Sequence, residues 1–412
     1  MNLGRRQFLS RAATLAASGL FLLSETAWAA QTSAKGKARL VVIFLRGAVD
    51  GLNVVIPYGE PPYYEDRPTL AVPRPGRDGG AIDLDGFFGL HPALGPLTPL
   101  WQDRRMAFVH GCGSPDPTRS HFDAQDYMES GTPGVKSTRD GWMNRILATF
   151  GSPAATAALS LGPTVPRILA GPLPVANLPL GHAAEQPMPL DRDQIAAAFD
   201  RLYQRDDPLS HAYQQGRAAR KQLLAGLQDD MRMANAGAPT PTGFHDDAER
   251  LARLIARDAS VRLAFVALGG WDTHVNQGGS TGQLANHLKP LGDGLAAFVH
   301  SLGPVLDDTV VLVLSEFGRT VRENGNAGTD HGHGNVVSII GGPVQGGKVY
   351  GRWPGLTTGD LYEQRDLAVT IDFREVLATV LSGHLGLTEA QLERIFPQRP
   401  KPTGTVRALI RS

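Results

Sequence analysis

Residues 39–45 read Arg-Leu-Val-Val-Ile-Phe-Leu (RLVVIFL), and the reading of this run decides the fold. It lacks the apolar–polar alternation of a half-solvated strand. It therefore reads as a strand buried on both faces, as at the centre of a parallel sheet. A glycine-containing turn follows, Arg46-Gly47-Ala48-Val49-Asp50-Gly51-Leu52-Asn53. The same pattern recurs downstream. Strands are expected at 106–110 (MAFVH), 262–268, 309–314 and 336–340, and helical patterns at 91–104, 120–130, 244–258, 282–302 and 372–385. Such alternation predicts an α/β fold, a three-layer α/β/α sandwich with a mainly parallel central sheet. Residues 57–90 read as an irregular excursion and 151–190 as loops with short strands. Residues 191–235 read as a polar helical insertion and 237–243 (GAPTPTG) as a linker. One folded domain is expected over 39–397, with a C-terminal tail at 398–412.

Bulk properties narrow the function. Lys+Arg and Asp+Glu both number 40, so no net field draws the chain to nucleic acid or acidic lipid. Cys112 is the only cysteine, which excludes an internal disulfide and a cysteine-based zinc cage; it reads as a buried thiol. Near the N-terminus, Arg5-Arg6-Gln7-Phe8-Leu9 is a twin-arginine pattern. An apolar stretch over 12–23 and Ala27-Trp28-Ala29 follow. These features predict a cleaved signal peptide at 1–29, a mobile leader at 30–38, and export by the twin-arginine translocation machinery to the bacterial periplasm or exterior. The apolar stretch is short for a bilayer span, so no stable membrane span is expected after cleavage.

The chemistry gathers in short segments beside the expected strands: Gly-Gly-Trp-Asp-Thr-His (269–274), Ser-Glu-Phe-Gly-Arg-Thr (315–320) and Thr-Asp-His-Gly-His-Gly-Asn (329–335). Open α/β sheets build their sites at strand ends, and carboxylates with imidazoles suit a divalent metal. The candidate ligands are Asp50, Asp272, His274, Glu316, Asp330, His331 and His333. Asp272 and His274, two apart in an extended stretch, point the same way. Buried at a strand end, Glu316 must be paired, protonated or metal-bound; an ion pair with Arg319 and a metal-ligand role stand level. One of His331 and His333 is expected to ligate. Ser120 is the candidate nucleophile, placed at a helix N-terminus where the dipole favours an anion. Arg119, His121 and Arg319 are candidates for binding that anion, and Thr118 is a weaker nucleophile. Asn335 orients a ligand or caps a turn, while His91 and His110 read as structural.

RGAVDGLNVVIPY (46–58), TRSHFDAQDYMESG (118–131), GGWDTH, SEFGRT, GTDHGHGN (328–335) and GGPVQGGKVYG (341–351) together resemble the twin-arginine-exported proteins of domain of unknown function 1501. That family looks related to the alkaline phosphatase and sulfatase superfamily. The resemblance implies one or two divalent ions (Zn, Mn, Mg or Ca) and hydrolysis of phosphate or sulfate esters, with an anionic ester as substrate. It places Asp50 as the first-strand ligand, Ser120 as the nucleophile, and Asp272, His274 and a late histidine on one metal. Phe317 stands where the superfamily usually has a histidine. A non-catalytic exported binding or assembly protein on a degenerate hydrolase fold is the rival reading.

Overall fold

The computed structural model describes residues 38–151, 153–154, 156–180 and 234–411. The expected signal peptide, nearly all of the leader and nearly all of the 191–235 insertion lie outside them.

Strand β1 (Arg39–Leu45) is buried along its whole length. Its alternate residues serve two cores: Leu40, Val42 and Phe44 face one, Val41, Ile43 and Leu45 the other. After it come three short strands, β2 (Val55–Ile56), β3 (Ile82–Asp83) and β4 (Gly89–Leu90), which form a separate antiparallel sheet within the excursion. The main sheet is completed by β5 (Met106–Gly113), β6 (Ala158–Leu161), β7 (Ala176–Leu178), β8 (Leu263–Leu268), β9 (Thr309–Ser315), β10 (Asn335–Gly341), β11 (Lys348–Tyr350) and β12 (Ile371–Asp372). The order is β11-β5-β10-β9-β1-β8-β6-β7, with β12 also on β5. Every pairing is parallel except those of β10, which runs antiparallel to both β5 and β9.

Four helices matter for the site and its support: α1 (His121–Ser130), α2 (Phe244–Arg257), α3 (Gln283–Leu302) and α4 (Phe373–Leu385). Helix α2 buries Phe244, Ala248, Leu251, Ala252 and Ile255, a stripe at helical spacing, and packs with α3 over one face of the sheet. Helix α4 covers the other, with Phe373, Val376, Leu377, Val380 and Leu381 in the core of Leu40, Val42 and Phe44. The architecture is the expected α/β/α sandwich.

One local expectation changes. Residues 91–104 do not form one helix. A 3₁₀ segment, Pro92–Leu97, precedes a short α-helix, Thr98–Gln102, because Pro92, Pro96 and Pro99 remove the amide donors a continuous α-helix needs. Asp372 caps α4 through Arg374 N, but Glu375 does not close a capping box. It accepts instead from Thr403 and Gly404 amides, pinning the C-terminal segment, whose Val406 and Leu409 are buried.

This topology decides where chemistry can collect. β1, β5, β8 and β9 all end on the same edge of the parallel array. β10 runs the other way, so residues 329–335 reach that edge before it starts. Five chain segments thus meet at the carboxyl ends of the strands, the usual position for a site.

Candidate metal centre

The first of these segments is the turn after β1. Gly47 has φ +111°, and a Cβ there would lie 2.8 Å from the Asp272 amide nitrogen; glycine lets this turn press against the loop after β8. In that loop Trp271 is fully buried and donates to the Leu268 carbonyl, which fixes the direction in which Asp272 and His274 leave the strand. As expected of an extended stretch, the two point together: His274 Nε2 is 2.9 Å from Asp272 Oδ1.

Three imidazoles converge on that carboxylate. His331 Nε2 lies 3.2 Å and His121 Nε2 3.5 Å from Asp272 Oδ1. His331 Nε2 is 2.9 Å from Nε2 of both His121 and His274. Each of the other ring nitrogens faces a group that only accepts, and so donates. His121 Nδ1 donates to Glu316 Oε1 at 2.8 Å, His274 Nδ1 to Asp330 Oδ1 at 3.1 Å, and His331 Nδ1 to the Arg119 carbonyl at 2.9 Å. On neutral rings the Nε2 lone pairs of His121 and His274 are then left facing that of His331, and all three face a carboxylate oxygen. Such a set is reconciled only by a shared proton or a cation. Tetrahedral zinc with bonds of about 2.0–2.1 Å sets its donor atoms roughly 3.3 Å apart, close to these separations. Carboxylate or carbonyl acceptors behind ligating histidines are the usual outer support. Among the described residues, the ligand atoms of His121, Asp272 and His331 lie within 4.8 Å of one another, and those of Asp272, His274 and His331 within 3.2 Å.

Charge follows from this packing. Burial alone would raise the Asp272 carboxyl; bonds from His121, His274 and His331 and the Arg319 cation hold it far below the ordinary carboxylate range. Burial pulls the His121 imidazole down, but Asp272 and Glu316 outweigh it and push it up to about 9. Glu316 is fully buried, and its bonds to His121 and Gln125 overcome burial to bring it to about 2. His274 is raised by its bond to Asp272. His331 is lowered by burial.

The remaining sequence candidates go elsewhere. Asp50 is fully buried but outside the cluster: Arg67 Nη1 and Nη2 donate to it at 2.5 and 3.1 Å, and Gln277 Nε2 at 2.7 Å. A buried carboxylate must be neutralised or ligated, and here an arginine from the irregular excursion supplies the charge. Glu316 stands behind His121 instead of joining the cluster; its Oε1 accepts from His121, Gly47 N and Gln125 Nε2. Asp330 stands likewise behind His274. His333 turns away and packs on Tyr362, with ring centres 4.6 Å apart. Gly332 and Gly334 bend the chain so that two histidines at i and i+2 no longer share a side; Gly332 N donates to the Gly318 carbonyl, and Gly318 N to that of His333.

Neither expected anion-binding arginine is free. Arg119 pairs with Glu363 at 2.6 Å and Asp366 at 2.7 Å. Arg319 is buried, bonds Asp272 at 2.5 Å and donates to the carbonyls of Gly47, Ala48, Trp271 and Thr329. It ties three of the converging segments together and is a tether, not a substrate contact. Its pairing with Asp272 also answers the expected Glu316–Arg319 ion pair. Ser120 caps α1, its hydroxyl accepting a long 3.5 Å bond from Asp123 N on the exposed side of the turn. Asn335 orients no ligand directly; its amide donates to the Val49 and Phe317 carbonyls. His110 and His91 are structural, bonded to backbone carbonyls of Val55 and Gly279. Burial pushes the Cys112 thiol well up.

Sequence spacing makes His121 a substrate contact and gives no sign of its part in the cluster, nor of Gln277 or Arg67. Gln125 carried a signal: it lies four residues after His121, on the same helical face. Arg46 donates to the Gln125 side-chain oxygen Oε1 at 2.5 Å and also pairs with buried Glu129; this turns the Gln125 amide nitrogen toward Glu316.

A family model described as "Protein of unknown function (DUF1501)" matches residues 89–396. No match is found among curated proteins. Among solved structures the chain is similar to Ps i-CgsB in complex with k-i-k-neocarrahexaose, at 10% identity and TM-score 0.43, covering 86% of this chain and 74% of that one. A second is the PsFucS1 sulfatase from Pseudoalteromonas sp., at 10% and 0.41, covering 91% and 74%. A third is a protein in the alkaline phosphatase superfamily from Vibrio parahaemolyticus, at 11% and 0.39, covering 76% and 62%.

Proposed function

The chain belongs to the DUF1501 family, and on that premise we propose that it is a metal-dependent hydrolase of phosphate or sulfate esters, exported through the twin-arginine pathway. The observation that carries this reading is the convergence of three imidazole Nε2 atoms on Asp272 Oδ1, each ring held by an acceptor at Nδ1. His121, His274, His331 and Asp272 would hold one divalent cation. A nitrogen-rich set favours zinc or another transition metal over magnesium or calcium, which prefer oxygen donors. When bound, such a cation supplies a Lewis acid that polarises the ester and lowers the pKa of an adjacent hydroxyl.

The protein's own groups divide the remaining work. Glu316 and Asp330 fix the rings of His121 and His274, and Arg319 fixes Asp272. The cluster is buried on its Asp272 and Glu316 side and part-exposed at His274 and His331, leaving an approach for substrate as catalytic sites require. Ser120 directly precedes His121 and opens α1. We assign its hydroxyl as the nucleophile: Oγ bonds to phosphorus or sulfur and gives its proton to solvent, the bond to the ester oxygen breaks, that oxygen takes a proton from solvent as the alcohol leaves, and water then hydrolyses the seryl ester, returning the hydroxyl and releasing phosphate or sulfate. The helix N-terminus favours the anionic group being transferred.

Because Arg67 already neutralises Asp50, the expected first-strand ligand is not free. This favours a single-ion centre, and it is the observation on which the non-catalytic binding reading rests. The test is metal analysis of purified protein, then turnover of aryl phosphate and aryl sulfate by wild type, Ser120→Ala and Asp272→Ala. Stoichiometric metal, with activity lost in both variants, is the expected result. Metal without any Ser120-dependent turnover would favour the binding protein; a folded protein that takes up no metal would end the proposal.

A further inference from the structure

Gln277 is fully buried, and nothing in the chemistry above requires it. Both polar atoms of its side chain are nonetheless bonded. The amide nitrogen donates to Asp50 Oδ2 at 2.7 Å, and the amide oxygen accepts from Thr273 Oγ1 and from Thr329 Oγ1, each at 2.7 Å. Thr273 lies between Asp272 and His274, and Thr329 two residues before His331. One amide oxygen therefore joins the two loops that deliver three of the four cluster groups. The backbone repeats the link, with Thr329 N donating to the Thr273 carbonyl at 3.2 Å and Gln277 N to the Ala327 carbonyl at 2.9 Å.

Behind the amide stands a charged anchor. Asp50 is held by Arg67, whose guanidinium also donates to Asn53 Oδ1 at 2.7 Å and to the carbonyls of Thr320 and Val321 at 2.9 and 2.8 Å. Asp50, Arg67 and Gln277 are all completely buried. With Asp50 accepting on one side, the Gln277 amide can take only one orientation, oxygen toward the threonines.

We propose that Gln277 is a positioning residue: anchored on Asp50–Arg67, it sets the spacing between the Asp272–His274 loop and the His331 loop, and thereby the cation affinity of the cluster. This deepens the reading of the cluster as a cation site and rests on it. Asp50, expected from sequence to be a ligand, acts through this amide at one remove. A purely structural role would lower stability without touching affinity. A positioning role lowers affinity, because the donor atoms of the two loops no longer meet at one point. Loss of such outer support typically costs about 10–100-fold in metal affinity.

The experiment titrates zinc into metal-stripped full-length protein against a chromogenic chelator and measures the melting temperature of the metal-free form. If wild type binds no zinc, the cation reading fails and takes the inference with it. Given zinc binding by wild type, Gln277→Leu is expected to bind about 10–100-fold more weakly. Thr273→Val/Thr329→Val removes the two hydroxyls while leaving the amide on Asp50; it is expected to weaken binding similarly and decides the matter if Gln277→Leu does not fold. Wild-type affinity in a folded Gln277→Leu or in the threonine double variant, whatever their melting temperatures, would overturn the proposal.

Discussion

Replacing Glu316 by glutamine removes one charge from the centre with little change of shape. Three donors reach Oε1, from His121 Nδ1, Gly47 N and Gln125 Nε2, and only Ser315 Oγ reaches Oε2. A glutamine can keep its oxygen at the first position and donate its amide to Ser315 Oγ, whose proton then goes to the Leu45 carbonyl. No polar group is orphaned, so the variant reports on charge. Two opposed effects follow. Without the carboxylate behind it, His121 is a weaker ligand, and loss of outer support costs about 10–100-fold in affinity, roughly 1.4–2.7 kcal/mol. His121 also loses part of what pushes it up to about 9. At pH 7 a proton at that pKa imposes a penalty of about 100-fold on any cation needing the same lone pair, and the variant is relieved of much of it.

The two effects nearly cancel at pH 7 and separate as pH rises. Wild-type affinity should climb about 10-fold per pH unit from 7 toward 9. Glu316→Gln should start near the wild-type value, climb less, and fall about 10–100-fold behind as pH 9 is approached. Zinc competition against chelators, at several pH values between 7 and 9, measures both slopes. Parallel lines for the two proteins, or a wild-type affinity indifferent to pH over that range, would refute the placing of Glu316 behind His121.

Three further outcomes are expected. His331→Ala should abolish tight zinc binding while His333→Ala leaves it within about twofold, since His333 lies against Tyr362; chelator competition reads both, and equal losses would contradict the placement. Arg67→Met leaves Asp50 buried without its cation and should cost about 3–5 kcal/mol in urea unfolding, against less than about 1 kcal/mol for an exposed pair. Burial lowers the His110 imidazole to about 4, so the folded state resists a proton that the unfolded chain accepts below about 6.5. Stability present above that pH is lost as pH falls toward 4, about 3 kcal/mol in all. His110→Gln should flatten the urea midpoint between those pH values, and an unchanged slope would remove His110 as the cause.

Periodicity carried the fold because apolar burial is periodic: an unbroken run such as RLVVIFL admits few environments, and the two cores that β1 divides are those environments. The cluster was half legible for a related reason. Asp272 and His274 sit in an extended stretch, where spacing alone predicts a shared side, and they share it. His331 and His333 have the same spacing, but glycines beside both remove the regularity on which the inference depends. There the direction is set by close backbone approach: a Cβ on Gly318 would fall 1.9 Å from the Gly334 carbonyl oxygen, a constraint between residues far apart in sequence. Asp50 was hidden in another way. A carboxylate at the end of a buried strand announces that it needs a partner and says nothing about which. The partner came from residues 57–90, where no periodicity exists to place Arg67.

What local pattern conceals, hydrogen-bond accounting recovers. Each cluster histidine has one ring nitrogen committed as a donor, so only the other can meet a cation once the ring is neutral. Arg319 has its donors committed to backbone and Asp272, so it cannot also grip a substrate. Gln277, bonded at both its amide atoms, is held to its orientation. The same arithmetic separates the residues that can meet a cation from those that hold them in place. By it, Asp50 and Glu316 pass from the first group to the second, while His121 makes the opposite move.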